Sequence, residues 1–179
     1  MKSSKIDLSG TPVLVSCEGG AEQTVIEILL DAGALCFSRE NVIDITGIRT
    51  ANGIETEYLA VDYGRSIALL RIVDSRNSNF KLRKLYRQKC CIYRICTCPE
   101  IEMLVILNEG KQKEYSKVMN SMKPSDFCKM ELAYPYIKKP EWLRQYWTAD
   151  TLVNSIARYK QIHQFRKNEL CLWHILSSS

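Results

Sequence analysis

Four carboxylates have types and positions that could do chemistry: Glu18, Glu22, Asp74 and Glu102. Glu18 interrupts "VLVSCEGGAEQTVIEILL", where an apolar run breaks at an acid and two glycines before a helical pattern begins. Asp74 ends the apolar run "SIALLRIVD", and Glu102 follows "CCIYRICTCPE" together with Glu100. Carboxylates that converge repel one another. A hard cation held by oxygen, typically Mg²⁺ or Mn²⁺, makes such a cluster tolerable near neutral pH. That ion can orient a water, polarise a phosphate and offset transition-state charge. Glu18, Asp74 and Glu102 are therefore candidate metal ligands, and Glu22 a further ligand or a base that positions water. Gly19 and Gly20 leave room for a phosphate against backbone N–H groups at the helix start. A plainer account stands beside this one. First-turn acids favour the helix dipole, which covers Glu22, Glu100 and Glu102, and "DSRNSN" is turn chemistry, which covers Asp74.

Such acids meet only if the elements around them form an open sheet. Pro12 to Cys17 reads as a buried strand, and Ala21, Val25, Ile26, Leu29 and Leu30 follow helical spacing to a stop at Gly33. Further strands are expected at 42–45, 67–73 and 91–96. "EYLAVDYG" fits a helix or a short strand. "KLRKLYRQ" reads as a basic helix with Leu82 and Leu85 on one side. A helix follows Pro99 and breaks near Gly110. Beyond it come a helix capped by Ser125, helices in "KPEWLRQYW" and "ADTLVNSIARYKQIHQF", and a last strand in "ELCLWHIL". This order predicts an α/β fold: a central, mostly parallel sheet flanked by helices, with helical C-terminal additions. A single domain is expected over 1–179, its core at about 11–110 and its helical flank at about 111–179. In open α/β sheets, functional groups collect beyond the carboxyl ends of the strands. The acids follow the strands in that way.

The chain has 179 residues, is 46% hydrophobic and carries a net charge of +5, enough for one core and mildly favourable to a polyanionic partner. Arg76, Lys81, Lys84 and Lys89 could track a nucleic-acid backbone. The alternative is a solvated helix face. A second basic set, Lys138, Lys139, Arg144, Arg158, Lys160, Arg166 and Lys167, comes with Trp142, Tyr146, Trp147 and Tyr159. These aromatics could stack bases, but at helical spacing they read better as core. The cysteines of "CCIYRICTC" do not match paired zinc-ligand spacing. His163 and His174 show no partner in the sequence. Without a secretory leader or a membrane-length apolar run, a cytoplasmic protein with reduced cysteines is expected, with no membrane partner.

"CEGGAE" followed by a helix resembles the opening motif of the TOPRIM domain, the Mg²⁺-binding module of topoisomerases, primases and OLD-type nucleases. Glu18 falls on that family's glutamate and Asp74 on the first aspartate of its Asp-x-Asp pair. "CTCPEIEMLVIL" is similar to an element of the RloB-like branch, which is associated with restriction and abortive infection; Glu102 falls on its glutamate. The likeness covers roughly residues 11 to 110. It implies a Mg²⁺- or Mn²⁺-dependent nuclease acting on DNA or RNA in bacterial anti-phage defence, with a partner protein from a defence operon and room for oligomer formation. One departure matters: the pair's second aspartate would be residue 76, which is Arg76. An arginine cannot bind the ion and opposes it, and the carbonyl of Asn77 is a weak substitute. The alternative is a catalytically degenerate TOPRIM-like subunit or sensor that binds a partner protein or nucleic acid. A third alternative is an enzyme that handles the phosphate of a mononucleotide.

Overall fold

The computed structural model describes residues 4–74, 79–97, 100–166 and 168–178. Four strands build one sheet: β1 (Val13–Cys17), β2 (Val42–Thr46), β3 (Ile67–Val73) and β4 (Cys90–Cys96). Their order is β2-β1-β3-β4 and every pairing is parallel. The α/β class expected from the sequence is what the chain adopts, with helices flanking this sheet. They are α1 (Gly20–Asp31), α2 (Ala51–Ile54), α3 (Glu100–Asn108), α4 (Gln112–Val118), α5 (Pro124–Met130), α6 (Pro140–Tyr146) and α7 (Ala149–Ile162).

Parallel strands covered on both faces need apolar residues at consecutive positions. β1 and β3 meet that need, with all of their residues buried. Alternation then divides them between two cores. Val13, Val15, Cys17, Ala68, Leu70, Ile72 and Ile95 join one core with α1, α3, α6 and α7. Leu14, Ile67, Leu69 and Cys90 turn the other way, onto Ile54, Leu59 and Leu82.

α3 is buried nearly all round, at Ile101 and from Leu104 to Leu107. This is the pattern of a helix enclosed by others, and α3 packs against α5 and α7. It ends at Gly110 with φ +68°, where the Gly110 N–H reaches Leu107 O and the Lys111 N–H reaches Ile106 O. Arg158 of α7 adds a donor to Leu107 O at 2.6 Å, placing a cation on the helix's negative end. α1 stops in the same way at Gly33, as its sequence predicts.

Three expectations are corrected. Residues 81–89 are not a helix: Tyr86 N–H bonds to Arg83 O and Lys89 N–H to Tyr86 O, giving successive turns. Leu82 is buried there while Leu85 is 66% exposed, so the pair does not share an apolar face. The helix expected to be capped by Ser125 has Lys123 at its N-cap and Pro124 in its first turn. "ELCLWHIL" forms a 3-10 helix, Leu172–Ile175, instead of a strand. Single bridges flank that helix, from Leu170 to Ile95 and from Leu176 to Leu35. Of "EYLAVDYG", only Glu57–Leu59 are helical, as the end of a π-helical turn, Glu55–Leu59, that continues α2; the remainder is turn, bend and loop.

Candidate functional site: an acidic rim with its own lysine

β1 lies between β2 and β3, so the chain reverses its direction of travel across the sheet at the β1/β3 boundary. The crevice beyond the carboxyl ends of two such strands is where open α/β sheets bind ligands. Here the two strands end in Glu18 and Asp74. The Glu18 N–H donates to Ile72 O at 2.9 Å, and the Asp74 N–H donates to Glu18 Oε2 at 3.0 Å. Thr97 draws the end of β4 in as well, through its N–H and hydroxyl to Val73 O at 2.8 and 3.2 Å.

Helices bring the other acids. Glu22 occupies the first turn of α1 and is buried. Burial raises its carboxyl above the usual carboxylate range; its own N–H and Lys138 act against that, while Asp74 and Glu102 reinforce it. Glu102, in the first turn of α3, is also buried. Its Oε1 accepts from Lys138 Nζ at 2.9 Å. Burial pulls the Lys138 ammonium down, yet its hydrogen bond to Glu102 and the fields of Glu102, Glu22 and Asp74 hold it above the ordinary lysine range. The fold therefore brings Glu18 beside Asp74, pairs Glu102 with one ammonium, and sets Glu22 and Asp74 within that ammonium's field.

The two glycines are used by the protein itself. A Cβ on Gly19 would stand 2.9 Å from Glu22 Oε2, and one on Gly20 would stand 3.3 Å from Pro140 Cγ. Their smallness admits the Glu22 carboxylate and the first turn of α6. The expected ion can be tested on this arrangement. In donor type the set suits a hard cation, since every group is a carboxylate. In placement it does not: among the described residues no three histidine, cysteine or carboxylate side chains are grouped to hold one ion. Glu102, one of the three expected ligands, is already paired with Lys138.

The basic residues do not gather over these acids. Arg76 lies outside the described residues. Lys89 sits at the amino edge of the sheet, where its carbonyl accepts from Ile67 N–H and its Nζ bonds to Leu59 O at 2.8 Å. The seven residues of β4 separate it from the carboxyl rim, about 20 Å. Lys81 and Lys84 are exposed on the segment covering the sheet face opposite α1 and α3. The second basic set is mostly structural: Arg144 pairs with Glu27, Arg158 caps α3, and Lys160 lies 4.2 Å from the Phe165 ring centroid. Lys167 lies outside the described residues. Trp142 and Tyr146 stack on each other at 4.4 Å. His174 is buried, and its Nδ1 accepts from Cys171 N–H at 2.9 Å. Cys171 lies 3.4 Å from the same nitrogen, but burial pushes its thiol far up, so it is no nucleophile.

Lys138 is the site residue that sequence reasoning placed elsewhere, among the basic residues of the C-terminal part. Its only local signal is the "IKKPEW" turn, which says nothing of a partner 36 positions earlier. No helix among the described residues is long and apolar enough to cross a membrane. Compared with known proteins, the chain matches no family model, and no curated protein or solved structure is significantly similar to it.

Proposed function

We propose that this chain is a catalytically degenerate TOPRIM-like module that binds nucleic acid without cutting it, as a subunit or sensor in bacterial anti-phage defence. The Lys138–Glu102 ion pair carries the reading. It removes one of the three expected ligands from the rim and puts an ammonium beside the acids. Arg76, standing where the likeness expects a second aspartate, supports the same conclusion. Binding is assigned to the basic segment, whose exposed Lys81 and Lys84 lie on the far face of the sheet, where phosphates avoid the acids. Cationic side chains of this kind supply sequence-independent affinity with a steep salt dependence. The test is anisotropy with single- and double-stranded DNA and RNA over a salt series, alongside cleavage assays with Mg²⁺ and Mn²⁺. Salt-dependent binding and no cleavage are expected. Cleavage that Glu18→Ala abolishes would overturn the reading.

A second reading, a metal-dependent nuclease using Glu18, Asp74 and Glu102, is favoured by one observation. Glu18 and Asp74 meet at the strand-order reversal, and Asp74 shares the field of a single lysine with Glu22 and Glu102. Saturable binding of Mn²⁺ by the wild-type chain marks this alternative.

A further inference from the structure

Lys138 is held in place by more than its ion pair. It closes a turn over 135–138 in which the Lys139 N–H bonds to Tyr136 O at 2.8 Å. Ile137 on one side of it is buried in the main core, and Leu143 of α6 is fully buried. Pro140 fits against Gly20, so the turn is seated on the first residue of α1, two positions from Glu22. Three carboxylates, Glu22, Asp74 and Glu102, come from three separate elements and share the field of this one ammonium. Among the described residues Lys138 is the cation in the field of these three, while Arg71 of β3 lies in the field of Glu18.

We infer that Lys138 is the resident cation of the carboxyl-edge rim: its tethered ammonium supplies the neutralisation that a divalent ion would otherwise supply, and so keeps such ions out. The inference deepens the metal-free reading above and rests on it. An ammonium has a fixed single charge and a covalent tether. It therefore needs no affinity from solution, and here it bonds to one carboxylate, Glu102, where a divalent ion would gather several oxygens. Removing it leaves Glu22, Asp74 and Glu102 without the ammonium whose field they share, and frees the Glu102 carboxylate to turn towards an ion. The rim should then attract the hard cation that its donor chemistry suits.

Mn²⁺ titration of the full chain, followed by calorimetry and by paramagnetic broadening of the Glu22 and Glu102 resonances, tests this. The proteins are wild type, Lys138→Gln, Lys138→Arg, and Lys138→Gln combined with Glu102→Gln. The Lys138 side chain is about half exposed, at 49%, so the fold should tolerate these changes, and circular dichroism checks that it does. Lys138→Gln should bind Mn²⁺ at least ~10-fold more tightly than wild type, the scale of one nearby charge reduced for solvent screening. Lys138→Arg should behave as wild type, and the double variant should lose the gain. Equal affinity in wild type and Lys138→Gln, whether measurable or nil, overturns the inference. Saturable binding by wild type, with a further gain in Lys138→Gln, overturns the metal-free function and leaves the role of Lys138 standing.

Discussion

Glu100 offers the most direct test of how the rim's scaffold handles charge. It is fully buried in the first turn of α3, two residues before Glu102. Its Oε2 has one long contact, from Leu172 N–H at 3.4 Å, and its Oε1 has no hydrogen-bond partner among the described residues. Burial pushes this carboxyl up to about 8, against a single favourable bond to Leu172 and with Glu169 adding repulsion. The folded protein thus keeps Glu100 protonated at neutral pH, while the unfolded chain ionises it near 4.5. A raised folded value means that this group's contribution is fully present below pH 4.5 and is lost as pH rises through about 8. At 1.36 kcal/mol per pH unit, the full loss is ~5 kcal/mol, a ceiling that interior relaxation reduces towards ~2 kcal/mol. Glu100→Gln keeps the shape and the acceptor for Leu172 but cannot ionise. Urea unfolding of both proteins at pH 5, 7 and 9 isolates the effect, because other titrations cancel in the difference. The variant should gain at least ~2 kcal/mol on wild type between pH 5 and pH 9. Parallel profiles, within ~0.5 kcal/mol, would show that Glu100 is hydrated or paired and would refute the argument.

Further consequences can be measured separately. Lys81→Ala with Lys84→Ala should lower the slope of log affinity against log salt by ~1.4 on single strands and ~1.8 on duplex, with little change in unfolding free energy. Gly20→Ala places a methyl 3.3 Å from Pro140 Cγ. Thermal unfolding should show a loss of ~1 kcal/mol or less, with a larger loss for Gly20→Leu as α6 is driven off α1. Leu143→Ala, at a fully buried position in α6, should cost ~2–5 kcal/mol by urea unfolding. Because α6 seats the Lys138 turn, the same variant should weaken the Lys138–Glu102 pair, seen as a fall in the Lys138 ammonium pKa by NMR.

What was legible in the sequence was local. The run from Val13 to Cys17, the glycine break and the 3.6-residue pattern ending at Gly33 each record one element's burial, and each forms where expected. The parallel sheet follows from buried strands with helical crossovers, since no hairpin signal joins them. The strand-end position of Glu18 and Asp74 was legible for the same reason: an acid after an apolar run marks the place where the strand leaves the core. The segment "KLRKLYRQ", residues 81–88, departs from the expected helix because a Leu-x-x-Leu spacing suits a helix face, whereas the segment is held by long-range polar contacts. Lys89 bonds to Leu59 O, and Arg83 pairs with Glu55. The C-terminal strand failed because the chain pairs only at single positions, at Leu170 and Leu176, and coils between them.

The same distinction applies to the rim. A sequence displays the acids but not what balances them, because the balancing group need share no period with them. Convergence of carboxylates calls for positive charge, and a metal is only one source of it. The fold supplies another from the far end of the chain, through a proline that needs Gly20 bare and a turn that carries Lys138 to Glu102. Gly20, which together with Gly19 suggests room for a phosphate, is thereby tied to the element that brings the lysine. If that linkage is right, bulk at Gly20 and loss of charge at Lys138 act on one interaction. Gly20→Leu should raise Mn²⁺ affinity in the direction of Lys138→Gln, and the combined variant should bind no more tightly than Lys138→Gln alone. Additive gains would mean that the glycine and the lysine act independently and that Lys138 reaches the rim without the support of α6.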